Sequence, residues 1–193
     1  MGRPRQFDVE QAVHTAAGLF WSKGFDGTSV QELTEAMDIT PPSFYFAFGN
    51  KEALFRRAVE DYQQILARIA EQAVRQDSAR AMVECLLTGF VDLFTDPAHA
   101  PGCLILNNAL PIVDGHPFRR RFAEQREALR LQVQRVLEDR ARTGRRGLKE
   151  GAAKVQSRLI VSLIWGFAVE AQSGVSRLDL RRAARAAAAL WPS

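Results

Sequence analysis

The stretch TSVQELTEAMDITPPSFYFAFGNK, residues 28–51, decides the fold of this chain. Thr28 and Ser29 offer an N-cap with Gln31 or Glu32 at the matching capping-box position, so a helix is predicted to start there. Val30, Leu33 and Met37 give that helix a short apolar face, and the small Thr34 lets a neighbouring helix approach. After Asp38-Ile39, Thr40 caps a second short helix whose first positions are Pro41 and Pro42, where a missing N–H costs little because it has no helical partner. Gly49-Asn50 ends it almost at once. Val30, Leu33, Met37, Ile39 and Phe44 then form one small core.

Longer helices are predicted on both sides. Upstream, Asp8 caps a helix that places Val9, Ala12, Val13, Ala16, Leu19 and Phe20 on one stripe before Gly24 stops it. Downstream, a helix runs from Lys51 to about Gln76, long enough to bridge two parts of a molecule. Two short helices and a tight turn, framed in this way, have the layout of a helix-turn-helix DNA reader. The second helix must be short so that its first residues reach base edges in a groove about 12 Å wide. Thr40, Pro41, Pro42 and Ser43 project first, the proline rings suited to a thymine methyl and the hydroxyls to hydrogen bonds. Tyr45, Lys51, the Thr28 hydroxyl and the N–H groups opening the preceding helix are expected to meet phosphates. Arg3 and Arg5, ahead of the first helix, are suited to an adjacent A·T-rich minor groove.

Residues 3–60, through the segments GRPRQFD and AAGLFWSKGFDGTSVQELTEAMDITPPSFYFAFGNKEALF, resemble the DNA-binding domain of the tetracycline-repressor (TetR/AcrR) family. That resemblance implies a repressor that holds a palindromic operator as a dimer and lets go when a small molecule enters a C-terminal body. It carries DNA-contact roles to Thr28, Thr40, Pro41, Pro42, Ser43, Tyr45 and Lys51. Two positions depart from the family pattern. Asp38 stands where glycine commonly makes the turn, though aspartate tolerates the left-handed conformation. Phe46-Ala47 replaces the frequent Tyr-His pair, which removes a histidine from the contact set.

Beyond residue 76, helical spacing recurs at about 78–95, 103–112, 117–143, 149–173 and 178–190, divided by Asp96-Pro97, Pro101-Gly102, Asp114-Gly115, Gly144 with Gly147, and Gly174. The fold class is therefore all-α with about nine helices: a DNA-binding head at 1–50, a linking helix at 51–76, and an effector-binding and dimerising body within 51–193. The helix at 149–173 is apolar around much of its circumference, which implies a partner as well as a core. Leu159, Leu163 and Phe167, with Ala184, Ala187, Ala188 and Trp191 of the last helix, are expected to form a four-helix homodimer interface. Phe90, Phe94, Cys103, Leu106, Asn107, Phe122 and Trp165 combine aromatic walls with a few polar atoms and suggest a pocket for an apolar or aromatic effector. Asn107 and Asn108 sit in an apolar stretch, and a hydrogen bond within the helix end is the first account of them. Cys103, just after Pro101-Gly102, raises the alternative of a thiol-based sensor of electrophiles or oxidants.

Composition narrows the function further. Across 193 residues, 47% of them apolar, a packed core is available without disulfides, and the two cysteines lack metal-ligand spacing. The formal net charge is +4, yet residues 1–60 hold six Lys or Arg against eight Asp or Glu, so pattern and not charge identifies the head. Residues 119–158 carry thirteen positive and five negative side chains and are read as a solvated helix face. His14, His99 and His116 share no ligand spacing, and no phosphate loop or serine elbow is present, so an enzyme is not expected and no metal or cofactor is implied. Nothing marks the N-terminus for export and no apolar run reaches membrane-spanning length, so a cytoplasmic protein is expected. A helical adaptor that binds only protein leaves the proline-opened helix and the Arg3 and Arg5 arm without a role.

Overall fold

The computed structural model describes residues 7–109, 119–142 and 151–192. These are all-helical: α1 Val9–Lys23, α2 Val30–Ala36, α3 Pro41–Phe48, α4 Lys51–Val74, α5 Ala79–Phe94, α6 Leu104–Ala109, α7 Arg119–Arg142, α8 Ala153–Gln172 and α9 Arg177–Ala188. The chain divides into two compact units, one up to Gln64 and one from Ile65 on, with α4 running through the boundary. Arg3 and Arg5, and the expected breaks at Asp114-Gly115, Gly144 and Gly147, lie outside the described residues.

In the first unit each helix starts where a side chain can satisfy its free N–H groups. Asp8 accepts from the N–H of Glu10 and Gln11, opening α1. At α2 the box is Ser29 with Glu32, both halves formed. Thr40 accepts from the Ser43 N–H at the start of α3, and Asn50 Oδ1 accepts from the Ala53 N–H at the start of α4. The turn between α1 and α2 depends on small residues. A Cβ on Gly27 would stand 2.3 Å from the Lys23 carbonyl oxygen, so no larger residue fits unless the turn shifts. Asp38 adopts φ 52° at the α2–α3 turn, the left-handed conformation expected of it, while the Ile39 N–H reaches back to the Thr34 carbonyl.

The core of this unit is aromatic. Phe20, Phe44 and Phe55 have no solvent exposure, and Phe20 and Phe55 meet edge to face with centroids 4.9 Å apart. Trp21 and Tyr62 make a similar pair at 4.9 Å, while Leu33 and Leu54 fill the remaining interior.

The second unit is built on α5, which packs against α8 and α9, with α7 against α8. Met82, Val83, Leu86, Leu87, Phe90, Val91 and Phe94 are buried along α5, facing Ile160, Ile164, Phe167 and Ala168 of α8 and Leu180, Ala184 and Ala188 of α9. Gly102, at φ 93°, turns the chain back so that its N–H reaches the Phe94 carbonyl at 2.8 Å, and Gln172 occupies the space a Cβ would need. Most of the basic run on α7 and α8 faces solvent, as in Arg120–Glu124 and Arg158–Glu127, but two arginines turn inward. Arg130 is buried, donating to Glu127, Gln134 and, across to α8, Ser157. Arg140 is also buried and donates to the carbonyls of Val74 and Gln76, which the end of α4 leaves without helical partners. No helix of the described residues is long and apolar enough to cross a membrane.

Candidate nucleic-acid interface

The α3 helix is short because Thr40 starts it and Gly49, at φ 75°, stops it. Phe44 and Phe48, four residues apart, are buried and fix which way it faces. Pro41, Pro42, Tyr45 and Phe46 are all exposed, with Phe46 opposite the buried pair. Tyr45 is 53% exposed and braced edge to face on Phe44 at 5.3 Å, and Phe46 is 95% exposed. Phe46 has no place in the head core and was not among the expected contacts. The signal was present: with Phe44 and Phe48 turned inward at i and i+4, the residue midway between them points away. Thr40 and Ser43 share one hydroxyl hydrogen bond at 2.9 Å, and the Thr40 oxygen also accepts from the Ser43 N–H in the cap.

The expected phosphate contacts behind α3 are partly engaged within the protein. Thr28 is fully buried and its hydroxyl donates to the Gly24 carbonyl at 2.7 Å, so that hydroxyl holds the α1–α2 turn and is turned away from solvent. Lys51 Nζ donates to the carbonyls of Phe25 and Thr28 at 2.9 and 3.0 Å and lies 4.2 Å from the centre of the Phe25 ring. Two of its three N–H groups thereby tie α4 to that turn. At the start of α2 the N–H groups of Ser29 and Glu32 are taken up by the capping box.

Lys23 adds a charge to that box, its Nζ donating to Glu32 Oε1 at 2.6 Å. The Lys23 hydrogen bond first, then those from Ser29, hold the Glu32 carboxyl down to about 2, against 4.5 for an ordinary glutamate. A carboxyl depressed by folding contributes stability that is complete above its unfolded value and lost as pH falls through the folded one. The head is therefore expected to weaken between about pH 4.5 and 2. Glu32→Gln, which keeps the box, should flatten this fall when melting temperature is followed against pH.

The expected dimer residues separate into two sets. Phe167, Ala184, Ala188 and Trp191 are buried within the protomer, because α9 packs its alanine side on α5. Leu159, Leu163 and Ala187 retain exposure, and Val155, Gly166 and Val169 continue the α8 stripe outward. A Cβ on Gly166 would meet nothing within 4 Å. Ala183 and Ala186 on α9, and Leu190 in the turn after it, extend the outward side.

The expected effector residues lie mostly in the packed interior. Phe90, Phe94, Phe122 and Cys103 have no exposure and Leu106 is 5% exposed. Phe90 and Phe94 meet at a tilt, with ring centroids 5.6 Å apart. Trp165 is half-buried, and Asn107 accepts a hydrogen bond from the Gln172 side chain. Asn108 donates to the Leu104 carbonyl at 2.7 Å, the helix-end bond anticipated for one of the pair. A small apolar cavity of about 20 Å3 lies elsewhere, lined by Ala70, Ala73, Met82, Leu86, Leu129 and Val133 among others. It has room for about one water molecule, well short of a ligand site. The Cys103 thiol is enclosed, while burial and then Glu84 push the half-exposed Cys85 thiol up. Among the described residues, no group of His, Cys, Asp and Glu is placed to hold a metal ion.

Comparison with known proteins places this geometry. A family model described as "Bacterial regulatory proteins, tetR family" matches residues 12–58, spanning α1 to the start of α4. The HTH-type transcriptional repressor BdcR of Escherichia coli is 39% identical over 108 residues, and the chain spans about half the length of that relative, the match covering 54% of each. The HTH-type transcriptional repressor ComR of the same organism is 26% identical over 99% of this chain and 92% of its own. Among solved structures, a cysteine variant of the TetR family transcriptional regulator CifR, complexed with 26 bp double-strand operator DNA, is 33% identical. It aligns with a TM-score of 0.82 over 99% of this chain and all of that one.

Proposed function

We propose that this chain, which belongs to the TetR family of bacterial regulatory proteins, is a cytoplasmic repressor whose homodimer holds a palindromic operator and releases it when a small molecule binds the body. The observation that carries this is the attitude of α3. Phe44 and Phe48 anchor it, while Pro41, Pro42, Tyr45 and Phe46 face outward on a helix short enough to lie in a major groove. Lys51 keeps one N–H for a phosphate while bracing the turn, and Arg3 and Arg5 extend the contact into a minor groove. The exposed stripe from Val155 to Val169 on α8, with Ala183, Ala186 and Ala187 on α9 and Leu190 just after it, is the face on which a second copy packs.

The effector is an apolar or aromatic molecule bound in the body beside Phe90, Phe94 and Phe122, with Asn107 as the polar contact. Because those rings are enclosed, binding must displace side chains, which couples occupancy to the packing of α5, α7 and α8. The buried Cys103 gives the thiol-sensor alternative no accessible sulfur.

Retention of promoter duplexes by the full-length protein tests the reading. Binding should weaken steeply as salt rises, the mark of phosphate contacts. Equal retention of single-stranded and duplex DNA, or none of either at low salt, would overturn it.

A further inference from the structure

We infer that this protein reads its operator chiefly through thymine methyl groups, with Phe46 as the residue that sets the preference. The inference rests on the proposal that α3 enters the major groove and deepens it. No residue of α3 carries an amide, guanidinium, ammonium or carboxylate side chain, the groups that form two hydrogen bonds to one base edge. Thr40 and Ser43 share one hydrogen bond at the start of the helix, so the remaining hydroxyl proton of that pair and the Tyr45 hydroxyl are the polar groups near the exposed side. That side is otherwise carbon: the rings of Pro41 and Pro42 and the 95% exposed ring of Phe46. At 3.6 residues per turn, positions 41, 42, 45 and 46 fall within an arc of about 140°, so they face one groove together.

In the major groove the thymine C5-methyl is the apolar group that distinguishes one base pair from the rest. An apolar reading face therefore selects thymine over cytosine by burying that methyl. A single exposed ring would carry no such meaning, since scattered apolar side chains are ordinary. Three such positions, Pro41, Pro42 and Phe46, gathered beside Tyr45 on one face do carry it.

The test uses the full-length protein and an operator duplex selected from random sequence. Each half-site thymine is replaced symmetrically by deoxyuridine, which removes only the methyl. In parallel, each T·A pair is changed to C·G and to 5-methylcytosine·G. For at least one position, deoxyuridine should weaken binding about fourfold per methyl and roughly fifteenfold for the symmetric pair, the factor expected from burying about one methylene each. At that position 5-methylcytosine should recover much of the affinity that cytosine loses. Phe46→Ala should abolish this methyl dependence while leaving the melting temperature unchanged, as befits an exposed side chain.

Binding that is indifferent to the methyl at every position overturns the inference alone, as does methyl dependence that survives Phe46→Ala. Failure to retain any duplex overturns the major-groove reading and this inference with it.

Discussion

Phe20→Ala is expected to melt the DNA-binding head, whereas the chemically identical change Phe46→Ala leaves it folded. Phe20 has no solvent exposure and touches the rings of Phe55 and Phe25 from α4 and the α1–α2 turn. Truncating a buried phenylalanine costs about 3–5 kcal/mol, since its contacts are lost and the cavity left behind fills only in part. Small domains hold only about 5–15 kcal/mol in total. In a unit that ends at Gln64, such a loss should lower the melting temperature by more than about 10 °C and remove operator binding at 37 °C. Circular dichroism on heating reads the first effect and a binding titration the second. Phe46→Ala, at 95% exposure, should melt like the parent. If the two variants melt alike, the burial pattern assigned to the head is wrong.

Leu159→Glu should split the dimer and cost operator affinity about a hundredfold or more, the avidity lost when two recognition helices no longer share one particle. Leu159 is 43% exposed on the α8 stripe that also holds Val155 at 73% and Val169 at 43%. A carboxylate there meets its own copy across a two-fold axis, and burying two like charges in an apolar contact is unfavourable. The protomer should fold normally because the side chain is not part of its core. Sedimentation velocity distinguishes the outcomes: a folded monomer supports the α8 and α9 face as the interface, and an intact dimer moves the interface elsewhere. Phe167→Ala, by contrast, should lower protomer stability first, since only 7% of that residue is exposed.

The head was legible in the sequence because its signals are local. Asp8, Ser29 with Glu32, and Thr40 each announce a helix start by chemistry that acts within a few residues, and Asp38 took the left-handed turn that its short side chain tolerates. The orientation of the body helices was harder to read, because it depends on partners distant in sequence. Residues 159–169 are apolar nearly all round, so periodicity alone does not separate Leu159, which faces out, from Phe167, which faces α5 and the core. On α9, alanine stands on both the inward and the outward side, so residue type alone does not separate Ala184 and Ala188, which turned inward, from Ala183 and Ala186, which did not. Arg130 and Arg140 hid within a charge run that reads as surface, and their burial follows from acceptors that no local pattern reveals: Ser157 on α8 and the carbonyls ending α4. Phe46 was obscured for the opposite reason. An aromatic residue among aromatic residues reads as core until Phe44 and Phe48 fix the phase of α3.

The measurement that bears most directly on the central claim is photo-crosslinking to an operator in which half-site thymines are replaced by 5-iododeoxyuridine, whose iodine occupies the methyl position in the major groove. Irradiation of the complex should join the DNA to the α3 peptide, with the adduct on Phe46 or Tyr45 and at symmetric positions in both half-sites. A complex that forms normally but crosslinks only through other segments, or not at all from any thymine position, would contradict the placement of α3 in that groove.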